Sequence, residues 1–364
     1  MRWLKPLFAR ASTRLENESG VTIIFIAVIL LGLLAMTAFV IDFGRIWQER
    51  RELQAGATAA ALAVGEDCAR DLCDAAYNES LVADLYADAN ATDGAATIHG
   101  IALDLTAQTV EVVTATEEPD GSASMDMFFA RIVGFDTITV GAGAIVAWGN
   151  PQLVTTIPLI ISDCEWLRDP ALFPGWPGGD PDNLPTYDPS IPLADYDPAT
   201  MVMLILHDTT GAEECNSLPG HDVGGDGKLP GGFGWLDTGG SCIPRVRDGW
   251  VAEDPGASPS TGCSASEVET LMFDSGPVFI PYFSDIDIIP GADLYEISGY
   301  GAFVVGGYNF TGQYKEYRAP LTDLPCGGST HCVSGWFVQH VDNGGSGGPL
   351  GGVDRGIIVI QLIA

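Results

Sequence analysis

The residues of this 364-residue chain best suited to chemistry are its eight cysteines: Cys68, Cys73, Cys164, Cys215, Cys242, Cys263, Cys326 and Cys332. Thiols can ligate soft metals, attack as nucleophiles or oxidise in pairs. Structural zinc needs thiolates two to four residues apart with matching partners, and no CxxC string occurs. An even count, all downstream of one long apolar run, points instead to disulfides in an oxidising compartment. Cys68/Cys73 and Cys326/Cys332 are close enough for local bridges. The other four can pair in three ways, and spacing does not choose among them.

A second candidate is Ser346 in Gly344-Gly345-Ser346-Gly347-Gly348-Pro349-Leu350. The string is similar to the GDSGGPL around the nucleophile of chymotrypsin-like proteases. Such a serine needs an imidazole base and an oriented carboxylate behind it. Here Gly345 stands where the Asp would be. His331 lies only 15 residues upstream, too near to span a two-barrel fold, and His207-Asp208 lacks the surrounding motif. A Gly-rich loop between strands is the expectation, and no catalytic residue is assigned.

Carboxylates come next. Asp222-Val223-Gly224-Gly225-Asp226-Gly227 lacks the spacing and distal Glu of an EF-hand, and Asp285, Asp287 and Asp293 form a looser acidic group. Calcium bridging such loops is the one ion these residues would suit; otherwise no metal and no cofactor is expected. No Walker lysine or G-x-G-x-x-G supports a nucleotide site. The five histidines (His99, His207, His221, His331, His340) show no paired ligand spacing. Trp166, Trp176, Trp235, Trp250 and Trp336 are expected in a core rather than as a sugar platform.

The element that must position all of this is the run Val21 to Ile41, VTIIFIAVILLGLLAMTAFVI, which carries no charge. As a helix it spans roughly 30 Å, the hydrocarbon thickness of a bilayer. Residues 1–20 carry a net +2 against −32 for the whole chain, so the remainder carries −34. A basic flank before an apolar span places the N-terminus in the cytoplasm. The acidic remainder argues against nucleic acid and against anionic lipid as partners. Gly20 is a position where prepilin-type processing would cut, although Phe25 stands where type IV pilins carry Glu. Gly32, Ala35 and Ala38 have the small-residue spacing that permits close helix approach in lipid.

Ile41 to Gly65 continues as helix, with Ile46, Leu53, Ala57, Ala60, Ala61 and Val64 in a 3.6-residue stripe. Span and extension together would make a rod of roughly 65 Å. Patterning predicts a helix over Asp71–Ala91, strands over Thr97–Leu105 and Thr109–Thr116, a helix over Met125–Val133 and a strand over Thr137–Trp148. After Asn150-Pro151 the chain turns Pro-, Gly- and Asp-rich. Short strands are predicted at Leu153–Ile161, Met201–Leu206, Val278–Phe283, Ala302–Tyr308, Gly335–His340 and Gly356–Ile363, with no long amphipathic helix.

Three stretches resemble the TadG-like family associated with Flp (tight adherence) pilus assembly. They are Glu18-Ser19-Gly20-Val21 through Asp42-Phe43-Gly44-Arg45; Arg50-Arg51-Glu52-Leu53-Gln54 with Ala57-Thr58-Ala59-Ala60-Ala61-Leu62-Ala63; and Phe128-Phe129-Ala130-Arg131-Ile132-Val133-Gly134. Together they cover about residues 18–149. Around Pro230-Gly231-Gly232-Phe233-Gly234-Trp235-Leu236, residues 150–364 resemble the Cys- and Gly-rich ends of some actinobacterial relatives. The family's von Willebrand A variants use a D-x-S-x-S metal site; the one such string here, Asp120-Gly121-Ser122-Ala123-Ser124, falls at the polar turn after Thr116, and the divalent-metal adhesion reading is not carried over. The resemblance implies a single-pass membrane protein of a bacterial envelope, acting in pilus assembly or adherence without enzyme chemistry. Its partners would be the lipid bilayer and other pilus-assembly membrane proteins or pilins.

The expected class is therefore α+β. Residues 1–20 form a cytoplasmic basic leader, 21–41 a transmembrane helix, 42–149 a helical extension with an α+β unit, and 150–364 a disulfide-stapled, mainly β ectodomain. Two rival readings are an adhesin whose residues 150–364 bind a glycan or host ligand, and a membrane-tethered hydrolase.

Overall fold

A computed structural model describes residues 19–74, 77–92, 94, 96–118, 121–207, 215–216, 228–247, 249–274, 276–289, 292–343 and 348–363. The chain divides into two compact units. The described residues of Met1–Val64, Ala75–Val146 and Leu362–Ala364 form the first, and those of Gly65–Asp74 and Ala147–Gln361 the second.

The first unit is organised by helix α1, Ser19–Ala69. Its early part buries nothing: the large apolar side chains from Ile23 to Val40 are 56–70% exposed. The helix is long and apolar enough to cross a membrane. Further on, Leu53, Ala57, Ala60, Ala61 and Val64 are at most 2% exposed, the stripe expected of an amphipathic helix facing a core. Helix α2, Glu79–Asn90, buries Ala83 and Ala87. Gly56 lets it pack closely, since a Cβ there would stand 3.3 Å from the Ala87 backbone.

The helix predicted over Asp71–Ala91 is shorter than its pattern suggests. Cys68 and Cys73 are bridged, and Asp71 takes a left-handed φ of 58°. Helix α2 starts only where the Asn78 side chain accepts from the Leu81 N–H, an N-cap that fixes the boundary.

Strands β1, Ala96–Asp104, and β2, Thr109–Thr116, form an antiparallel hairpin. The Asp104 carboxylate accepts from the Thr106 and Ala107 N–H groups, and Gln108 adopts φ 53°, the local chemistry of a tight turn. Strands β3, Met125–Asp126, and β4, Thr137–Ile138, pair with each other. They bracket a single 3-10 turn, Ala130–Val133, closed by Gly134 at φ 94°. The helix predicted over Met125–Val133 therefore does not form: the backbone of Met125 and Asp126 is taken by strand pairing before a helix can start. Strand β5, Gly141–Gly149, lies beside β2 and carries the chain into the second unit.

The second unit contains β6 (Leu159–Ser162), α3 (Asp163–Trp166), β7 (Val202–Ile205), β8 (Cys215–Asn216), β9 (Lys228–Leu229), β10 (Phe233–Trp235) and β11 (Trp250–Ala252). There follow α4 (Ala265–Phe273), β12 (Val278–Ile289), β13 (Ala292–Asn309), β14 (Lys315–Tyr317), β15 (Cys332–Val338), β16 (His340–Asp342) and β17 (Ile357–Leu362). An eight-stranded sheet runs β10-β6-β12-β13-β15-β7, with β11 and β14 also pairing to β13. Phe233, Trp235, Tyr282, Phe303, Tyr308 and Phe337 are fully buried in its core. The fold is thus α+β with a mainly β second unit, as the sequence implies. Patterning misses α4, although Ser264 and Glu267 form a reciprocal capping box, a signal written in the sequence as S-x-x-E. The four disulfides are Cys68–Cys73, Cys164–Cys215, Cys242–Cys263 and Cys326–Cys332.

Candidate functional site: the exit of the apolar helix

An acidic residue directly after a 21-residue apolar run is costly to bury unless its oxygens find donors. Asp42 is 5% exposed, and it finds three. The backbone N–H groups of Phe128, Phe129 and Ala130 donate to its two carboxylate oxygens at 3.0, 2.9 and 2.6 Å. One turn later Arg45 donates to the Asp126 carbonyl at 2.8 Å, and its guanidinium lies 4.6 Å from the Phe128 ring centre. Asp42 and Arg45, three apart on one helical face, thus clamp the start of the 3-10 turn. The first and third stretches of the family resemblance are joined here by bonds between residues 86 to 88 apart in sequence.

The second stretch does the same for the rest of the unit. Arg51 stacks on Trp47 at 4.7 Å. The Glu52 carboxylate accepts from the Thr92 N–H and from Gln48. Burial raises its pKa, but these hydrogen bonds outweigh burial and hold it below the ordinary value. Leu53 is buried with Ala87, Ala96, Met125 and Val140, and its carbonyl accepts from the Thr114 hydroxyl at 3.0 Å. Gln54 donates to the Gly143 carbonyl at 2.9 Å. Each residue of Arg51-Glu52-Leu53-Gln54 therefore grips something different: a ring, a helix-end loop, the core and strand β5.

Two cavities flank this site. One, of about 610 Å³, is open and lined by Gly44, Trp47, Arg51, Glu52 and Asn90 among others. The other, of about 330 Å³, is walled by Ala35, Ala38 and Phe39 from the apolar run and by Phe129 and Ile132 from the loop. The contacts are positional. They fix a loop and a sheet onto the helix and leave apolar surface open.

The other residues that the sequence singles out are scattered. Ser346, His221, Asp208, Asp222 and Asp226 lie outside the described residues. Asp285 and Asp287 sit on β12 and Asp293 on β13; among the described residues no three His, Cys, Asp or Glu side chains converge as a metal-ligand set. Trp166, Trp176, Trp235 and Trp336 are buried and Trp250 is half-buried.

The second unit also holds polar clusters that patterning does not reveal. The Arg355 guanidinium and the Ser298 hydroxyl both reach the Asp163 carboxylate at 2.8 Å. Arg355 also lies 4.9 Å over the Trp166 ring. Glu165 meets Arg168 at 2.7 Å and accepts from the Gly232 N–H at 2.6 Å. His207 Nε2 is 3.1 Å from the Tyr295 hydroxyl and 3.5 Å from the Glu253 carboxylate.

Neither a curated protein nor a solved structure gives a match to this chain. Residues 20–71, which hold the apolar run, Asp42, Arg45 and the whole Arg51–Gln54 grip, match the Tad family model, described as Flp pilus-assembly TadE/G-like.

Proposed function

We propose that this chain is a membrane-anchored, non-enzymatic accessory or structural protein of Tad/Flp-type pilus assembly and surface adherence. One observation carries the reading: the family match over residues 20–71 covers the exposed apolar helix and the residues that dock the first unit on it. In this reading residues 21–41 cross the membrane once and residues 1–20 stay in the cytoplasm. Residues 42–364 lie outside it, where eight cysteines can persist as four disulfides. The partners of this chain would be the lipid bilayer and other pilus-assembly membrane proteins or pilins.

Deletion of the gene tests the role. Loss of pili and of surface adherence, restored by the intact gene, is the expected result; unchanged piliation and adherence would reject it. Intact mass of the protein from native membranes tests the topology. A gain of about 8 Da on reduction is expected for four disulfides, and no gain would place residues 42–364 on the reducing side. Loss of residues 1–20 would mark Gly20 as a processing site and a pilin-like component, and an uncut N-terminus a permanent tether.

A further inference from the structure

The loop that Asp42 holds is itself apolar on its outside. Phe128, Ile132 and Phe135 are 60%, 79% and 68% exposed, and Phe129 is 39% exposed. Four large apolar side chains within eight residues form a patch of the kind that marks an interaction surface. The loop lies against the last turns of the apolar run. Ile132 and Phe129 share a cavity with Ala35 and Ala38, and Ala35 lies six residues, about 9 Å of helix rise, before Ile41. Whatever surrounds the end of the apolar run therefore also surrounds this loop.

We infer that the Met127–Phe135 loop is a lipid-facing foot. It seats Phe128, Ile132 and Phe135 at the outer interface of the bilayer that the apolar helix crosses, so the first unit stands on the membrane at two points. The inference rests on the anchoring reading above and adds to it. Continuity with the exposed helix selects lipid as the occupant, because the cavity wall is made jointly by span and loop. The charges agree with that depth. Arg45 covers the Phe128 ring, and Arg131 lies 3.7 Å from the Asp126 carboxylate with half its side chain exposed. Basic side chains with apolar stems suit the headgroup level beside buried rings. The Asp42 clamp supplies what a partly immersed turn requires, since it pairs three N–H groups that lipid could not satisfy.

The test uses the full chain in phosphatidylcholine vesicles, with the photoreactive residue benzoylphenylalanine placed singly at Leu30, Leu105, Ile132 or Phe135. Leu30 reports the span, and Leu105, exposed beside the β1–β2 turn, reports water. After irradiation, mass spectrometry should show lipid adducts at Leu30, Ile132 and Phe135 and at least about tenfold less at Leu105. Adducts at Leu30 with none at Ile132 or Phe135 would overturn the foot and leave the anchor standing. Cross-links from Ile132 and Phe135 to a second copy of the chain in place of lipid would overturn it equally. Absence of adducts at all four positions would remove the anchor and the foot with it. Phe135 lies outside the 3-10 turn, so its variant keeps the test open should the Ile132 variant fail to fold.

Discussion

The Asp42 carboxylate accepts the Ala130 N–H at 2.6 Å across 88 residues of sequence. With Phe128 and Phe129 it forms a three-donor nest around one charge, an arrangement that is strong because the acceptor is ionised. Replacing Asp42 by Asn keeps an oxygen but loses the charge and one acceptor. Hydrogen exchange of the Phe128–Ala130 amides should accelerate by roughly tenfold or more, while β1 and β2 stay protected. Uniform protection in the Asp42→Asn variant would show that the clamp does not hold the loop.

The acid response of the first unit should have two signs. Glu52 is held below its ordinary 4.5, its raising burial outweighed by bonds from Gln48 and Thr92. A depressed carboxyl contributes stability present above its unfolded value and lost as pH falls through its folded one. Asp84 is raised above 3.8, first by burial and then by Asp88 and Glu117. It opposes folding at neutral pH, and that opposition is relieved as pH falls through its raised value. Thermal unfolding in detergent from pH 7 to pH 3 should therefore show Glu52→Gln flattening the acid loss. Asp84→Asn should raise Tm at pH 7 and make the acid loss steeper. The reverse order would contradict both assignments.

Asp163 and Arg355 form a buried pair in the second unit, 2.8 Å apart with Ser298 on the same oxygen. Removing one partner strands the other charge away from water. Arg355→Leu or Asp163→Leu alone should destabilise that unit by ~3–5 kcal/mol, while the double variant should recover most of the loss. Denaturant melts of the three variants check this, and additive losses would refute the pairing.

Gly232 adopts φ 81°, and a Cβ there would collide with the Ile205 carbonyl. Its N–H also serves the buried Glu165 carboxylate. Gly232→Ala should cost more than ~2 kcal/mol, from left-handed strain plus the backbone clash. Gly240→Ala meets nothing within 4 Å, so it should carry the strain without the clash and lose less. Equal losses would locate the effect in φ alone.

Much of the fold is legible in residue order because it depends on short-range periodicity. The apolar helix with its continuation, the β1–β2 hairpin and the places of the longer strands after residue 150 follow from patterns of 3.6 or 2 residues, whereas β8 to β11 and β14, two or three residues each, do not. Where patterning fails, a contact distant in sequence outbids it. The helix predicted over Met125–Val133 yields because β3 takes its first residues and Asp42 takes its N–H groups. The helix predicted from Asp71 yields to the Cys68–Cys73 bridge and the Asn78 cap.

By itself the sequence determined the apolar helix, its continuation as a rod, the even set of eight cysteines and the Arg51–Gln54 motif. These are local in the chain, so composition and spacing suffice to write them. Only the tertiary structure decided that Cys164 pairs with Cys215 and Cys242 with Cys263. It alone decided that Asp42 grips the Phe128–Ala130 backbone, that Phe128, Ile132 and Phe135 face outward, and that Ile132 lines a cavity with Ala35 and Ala38 near the end of the apolar run. Those outcomes join residues 21 to 97 apart in sequence, and no periodicity encodes which distant groups a fold brings together.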